Sequence, residues 1–177
     1  MEEKKATSLK NAMNYGAMAG LVLIIVSVLF YMLGKSESSM QNWIGYAVII
    51  FGIVIGTQNY RDNVLGGYIT YSQSLSSGTL ISFFTAIITA FYTYIFFTFI
   101  DASLIDIILE KQVIAMEEKD MDEEQIEMMM GYTRRFMTPF WMSFIGLFSY
   151  TFIGFIFSLV TSFFLKRKDD SFEGNFQ

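Results

Sequence analysis

Residues 75–100 read LSSGTLISFFTAIITAFYTYIFFTFI and lie within a run, Asn63–Ile100, that contains no Asp, Glu, Lys or Arg. A helix rises 1.5 Å per residue, so about 20 apolar residues cross the ~30 Å hydrocarbon core of a bilayer. This stretch is therefore long enough to span a membrane and too apolar to stay dissolved in water. Three more uncharged runs of spanning length surround it: Asn11–Gly34, Ser38–Tyr60 and Phe136–Leu165. The expected fold is all-α, an integral membrane four-helix bundle forming a single membrane domain over residues 1–177, with spans near 12–34, 42–60, 75–100 and 139–165.

Composition points the same way. With 53% hydrophobic and only 16% charged residues, the chain is hard to reconcile with a soluble domain, and four spans leave room for one sizeable loop and no separate soluble domain. His and Cys are both absent. That removes thiol nucleophiles, disulfides, imidazole ligation of haem or zinc, and the commonest general base. Neither a cofactor nor a metal is expected, and no nucleic-acid partner.

Lys4, Lys5 and Lys10 precede the first apolar run, as in a signal peptide, but Ala12–Leu33 is longer than a signal-peptide core and no small-residue cleavage site follows. It reads as a retained first span. Gly16 and Gly20 form a GxxxG pair within it, a spacing that lets a neighbouring backbone approach where lipid supplies no hydrophobic drive for association. The second span carries Gly45, Gly52 and Gly56 on one face. Along the third, Gly78, Ser82, Thr85, Thr89 and Thr93 recur every three or four residues, a stripe that serves either helix packing or a hydrated solute path. The fourth repeats the small-residue face at Gly146, Gly154, Ser158 and Ser162, interrupted by Tyr150.

Residues 101–138 form the one substantial loop, acidic and rich in Met. Asp122 has the character of an N-cap, with Gln125 as its capping-box partner and Met121 and Ile126 as a hydrophobic staple, which places a helix start at Glu123. Before it, Ile105, Ile108, Leu109, Val113 and Met116 predict an amphipathic helix from Ala102 to about Lys119. Thr138-Pro139 then caps and opens the fourth span. The two loop helices form a hairpin or lie flat on the membrane surface. Folded about Asp120, a hairpin sets Asp106 against Arg134 or Arg135 as an ion pair beside the membrane.

With the N-terminus in the cytoplasm, that side holds Lys4, Lys5, Lys10, Arg61, Lys166, Arg167 and Lys168, against Lys35, Lys111, Lys119, Arg134 and Arg135 on the other. Positive charge concentrates on the cytoplasmic flanks of short loops, so both termini are expected inside and the acidic hairpin outside. The terminal stretch Asp169–Gln177 reads as loose.

Three polar segments carry a resemblance. GTQNYRDNVLGGYITYSQSLSSG (56–78), MDEEQIEMMMGYTRRFMTPFWM (121–142) and FFLKRK (163–168) are similar to a bacterial family of four-span membrane proteins catalogued as domain of unknown function 4199. The likeness extends over essentially the whole chain. It implies an inner-membrane location and four helices, and no activity. The sequence departs from the family pattern after Asp101, where Ala102 and Ser103 stand near the position of an expected Pro.

Asp101, Asp106 and Glu110 sit at the outer boundary, with Asp106 and Glu110 one helical turn apart, so they are the candidates for holding a cation or for acid–base work. Carboxylates near a helix end are commonly just solvated, and no HExxH, GxSxG or P-loop pattern is present, so an enzyme is not expected. None of the spans carries a charged residue at its centre, where proton-coupled carriers place one. The reading that fits best is a structural or interaction module whose partners are the lipid bilayer and another membrane protein or itself. The alternative is a small oligomeric transporter or channel using the third span's hydroxyls.

Overall fold

The computed structural model describes residues 2–36 and 38–167, with side chains from Thr7 onward. Among these it consists of α1 (Glu2–Met32), α2 (Ser39–Asn63), α3 (Tyr71–Ile95, continued by a π-helical turn Phe96–Ile100), α4 (Ser103–Glu117), α5 (Glu123–Phe136) and α6 (Pro139–Leu165). No strand forms among the described residues, and one isolated bridge joins Ile69 to Arg167. Four helices, Thr7–Met32, Ser39–Asn63, Tyr71–Ile100 and Pro139–Leu165, are long and apolar enough to cross a membrane. The stretch Asp169–Gln177, expected to be loose, lies outside the described residues.

Local chemistry accounts for most helix ends. Gly34, at φ 66°, ends α1: its N–H bonds the Tyr31 carbonyl at 2.9 Å and the Lys35 N–H bonds the Phe30 carbonyl at 2.9 Å. This Schellman arrangement satisfies carbonyls that have no partner inside the helix. At the start of α3, Thr70 and Gln73 form a reciprocal box, Gln73 N–H to Thr70 Oγ1 at 3.3 Å and Thr70 N–H to Gln73 Oε1 at 2.9 Å. The helix therefore opens at Tyr71, four residues before the apolar run that predicted its start. Polar residues that water can solvate extend a helix beyond its membrane-buried part.

The turn between α4 and α5 repeats the Schellman pattern with Asp120 in the glycine position, at φ 56°. Its N–H bonds the Glu117 carbonyl at 3.0 Å, and Met121 N–H bonds the Met116 carbonyl at 3.3 Å. Asp122 then accepts from Gln125 N–H at 2.8 Å, and α5 starts at Glu123 as the capping pattern predicts. Thr138 accepts from Trp141 N–H at 3.4 Å, with Pro139 the first residue of α6. The break after α3 needs no proline. Asp101 N–H bonds the Phe96 carbonyl at 2.9 Å, and the Asp101 carboxylate accepts from the Ser103 N–H at 3.1 Å and its hydroxyl at 2.6 Å.

The chain divides into two compact units, one of residues through Thr89 together with those from Leu147, the other Ala90–Gly146. In the first, Leu23, Ile49 and Ile53 form a core against which Val48, Tyr150 and Phe157 pack. Much of its remaining interior is small or polar: Ala12, Ala19, Ser74, Ser77, Ser82 and Ser158 are buried, while Ile25, Phe51, Phe148 and Phe152 are exposed. A water-soluble domain has the opposite arrangement, and lipid is the solvent that suits this one. In the second unit, Phe136, Phe140, Trp141 and Phe144 cluster with ring centroids 5.6–6.2 Å apart around the start of α6. An aromatic group at a span's end is what a membrane–water boundary favours.

Candidate functional site

Two regions hold most of the sequence-predicted residues. The first is the hydroxyl stripe of α3. Ser82 Oγ donates to the Gly78 carbonyl at 2.9 Å, Thr85 Oγ1 to the Ile81 carbonyl at 2.9 Å, and Thr89 Oγ1 to the Thr85 carbonyl at 3.1 Å. All three are buried, whereas Thr93, in the other unit, is half-buried. A hydroxyl engaged on its own helix one turn back has its donor occupied and offers a solute little. Thr85 Oγ1 also lies 3.2 Å from the Gly16 carbonyl, so the same group ties α3 to α1.

Glycines close these helix contacts. A Cβ at Gly16 would stand 2.6 Å from Phe84 Cβ and 2.7 Å from the Ile81 carbonyl oxygen; one at Gly20 would stand 2.8 Å from Ile88 Cβ. Gly56 faces Ile81 and Tyr15 at 2.6 and 2.9 Å by the same measure, and Gly52 faces Ala19 at 3.1 Å. Gly154 lies against Ser82, and Gly78 against Ser158. At Gly16, Gly20, Gly56, Gly78 and Gly154 an added side chain would force a neighbour to shift, whereas at Gly52 the contact is only tighter than usual. Gly146, expected to pack a neighbouring helix, does not. Nothing lies within 4 Å of a Cβ there, and it lines an open apolar cleft with Tyr132, Phe136 and Met142, so it is no helix-packing glycine. Periodicity placed it on the face of Gly154, but that face's contact does not reach it.

The second region is the pair α4–α5. α4 has no buried residue and α5 has one, Met130, while Ile107, Ile114, Met128, Met129 and Tyr132 are exposed. Asp106, Glu110 and Arg134 line one cleft between the two helices. The expected ion pair does not form: among the described residues neither Arg134 nor Arg135 reaches a carboxylate within 4.0 Å, and Arg135 is exposed and outside that cleft. Asp106 and Arg134 line the same cleft, near the predicted register, without pairing. Asp101 is engaged in the turn before α4. Among the described residues no group of three or more carboxylates could hold a metal ion.

The family described as protein of unknown function, DUF4199, matches residues 14–167, most of the chain. The chain belongs to this family. Comparison with curated proteins and with solved structures gives no match. The DUF4199 region ends at Arg167, the residue whose N–H and carbonyl pair with Ile69 at 2.9 and 3.0 Å.

Sequence reasoning missed two sets of polar residues in this DUF4199 protein. Asn11 Nδ2 donates to the Gly56 carbonyl at 2.9 Å, a buried link between α1 and α2. Its signal was an amide just inside an apolar run. Thr57, Ser74, Ser77 and Ser162 have buried hydroxyl oxygens with no hydrogen-bond partner among the described residues. Nothing in the sequence separates these from the bonded hydroxyls of α3, because the difference is one of rotamer and of which neighbour faces them.

Proposed function

We propose that this DUF4199 protein is a multi-pass scaffold of the bacterial inner membrane. Its four-helix bundle, with both termini cytoplasmic, presents the acidic, Met-rich α4–α5 hairpin outside the cytoplasm to another membrane protein. The observation that carries this reading is how little of that pair is covered: of 29 residues in α4 and α5, only Met130 is buried. A Met- and aromatic-bearing surface left uncovered on an otherwise charged element suits an adaptable protein contact. A photo-crosslinking residue at Ile114 or Met129 should capture a defined membrane protein in living cells, whereas the same probe at lipid-facing Phe152 should not. Identical capture profiles from both positions would remove the reading.

A second reading, a small oligomeric transporter or channel, rests on the unpartnered hydroxyls of Thr57, Ser74, Ser77 and Ser162, which could be met by internal water. Solute release from proteoliposomes tests it: flux abolished by Ser77→Val but not by Thr79→Val would favour a path through the bundle.

A further inference from the structure

The clefts between α4 and α5 share Val113, Met130 and Arg134, so they join into one groove, with volumes of about 410 and 440 Å³ along its length. Its floor is apolar: Leu109, Val113 and Ile126 are half-buried and Met130 is 5% exposed. Its rims are acidic. Asp106, Glu110 and Glu117 project from α4, Glu123 and Glu127 from α5, and Arg134 is the single cation among the lining residues. Among the described residues none of these charged groups makes an ion pair.

The layout constrains the occupant. The carboxylates are not gathered into a set that could chelate one cation but are strung along the groove. Asp106 to Glu117 is eleven residues, about 16 Å along a helix axis, or three turns. Like charges left unpaired along both sides of an apolar floor repel one another and favour an occupant that brings several spaced cations. An anionic lipid headgroup is repelled by these rims, and so is the same acidic surface of a second copy. A helix laid apolar-face-down into a groove matches the remaining requirements of length and a one-sided apolar stripe.

We propose that the α4–α5 groove binds a cationic amphipathic helix of a partner protein, about three turns long, its apolar stripe on Val113 and Met130 and its Lys or Arg side chains against the two carboxylate rims. The proposal rests on the reading of α4–α5 as an interaction surface and names the chemistry of the partner. Electrostatics would set the approach and the salt dependence, while the floor would hold the register.

The test uses the full-length protein in nanodiscs of zwitterionic lipid and a fluorescent 16-residue Lys/Leu amphipathic peptide, with empty nanodiscs subtracted. Anisotropy should show saturable binding that weakens at least about tenfold in the triple variant Glu117→Gln, Glu123→Gln, Glu127→Gln, and several-fold as NaCl rises from about 50 to about 300 mM. All three side chains are exposed, so the variant should keep the parent's melting temperature. Met130→Ala should weaken binding without altering its salt dependence. Equal binding of a scrambled peptide of the same composition, full competition by spermidine, or indifference to the triple variant would each overturn the proposal. The two readings separate cleanly. Cellular crosslinking from Ile114 with no peptide binding leaves the interaction surface and removes the cationic helix; peptide binding with no specific cellular crosslink keeps the groove's preference for a cationic helix and removes the membrane-protein partner of the proposed function.

Discussion

Ser82 fills the space that a side chain at Gly154 would need. The same antiparallel register pairs Gly78 with Ser158 and ends in the bridge between Ile69 and Arg167, so α3 and α6 are held in one alignment along the first unit. Gly154→Leu must therefore separate the backbones or displace Ser82, at a cost of about 1–3 kcal/mol. Gly56→Leu should behave alike, because a Cβ there meets Tyr15 and Ile81. Gly146→Leu should melt like the parent in detergent, since its surroundings are open. Equal destabilisation at positions 146 and 154 would show that the contact extends further than the structure places it.

The two classes of buried hydroxyl should respond in opposite directions. Thr85→Val removes a donor shared between the Ile81 and Gly16 carbonyls and should cost about 0.6–1.7 kcal/mol, the range for polar links between membrane helices. Thr57→Val removes a fully buried hydroxyl with no partner and should be neutral or stabilising by up to about 1 kcal/mol. Paired thermal melts decide; a Thr57→Val loss as large as that of Thr85→Val would mean that the hydroxyl binds something, ordered water first of all.

Asp120 holds a left-handed backbone conformation that glycine adopts without strain. Asp120→Gly should stabilise the α4–α5 turn by about 1 kcal/mol, and Asp120→Val should weaken it by more, because a β-branched residue fits that region poorly. Asp122→Ala, which removes the cap on Gln125 N–H, should cost about 0.5–2 kcal/mol. Amide hydrogen exchange along Glu123–Phe136 reports all three, and protection unchanged across the set would contradict this turn.

Asp106 and Arg134 share a cleft without pairing. The double swap Asp106→Arg with Arg134→Asp should then show no rescue beyond the sum of the single variants, within about 0.5 kcal/mol. A larger coupling energy from a double-mutant cycle would mean that the pair closes in solution.

Topology is checked with single cysteines placed at Ser8 and Glu118 in this cysteine-free chain. An impermeant maleimide applied to spheroplasts should label position 118 and spare position 8. The reverse pattern would put the acidic surface in the cytoplasm and remove the extracytoplasmic part of the proposed function.

What the sequence determined by itself was what depends on neighbours a few residues away. Span length follows from apolar residues per 1.5 Å of rise, so all four membrane-long helices were legible. Asp122, Thr138 and Pro139 set their helix starts through bonds three residues away or a fixed φ, and these too were readable. The Thr70-x-x-Gln73 box was equally local, and was obscured only because the span was placed by apolarity. Tertiary structure decided what depends on which helix stands opposite. Gly146 and Gly154 share a face of α6, yet only Gly154 meets a neighbour within 4 Å. Ser82 and Ser77 are alike as residues of one helix, yet one hydroxyl is bonded and the other is not. The Asp106–Arg134 pairing was anticipated in register and failed in distance, because the width of the cleft between two helices is set by packing, on which the order of residues along either one is silent.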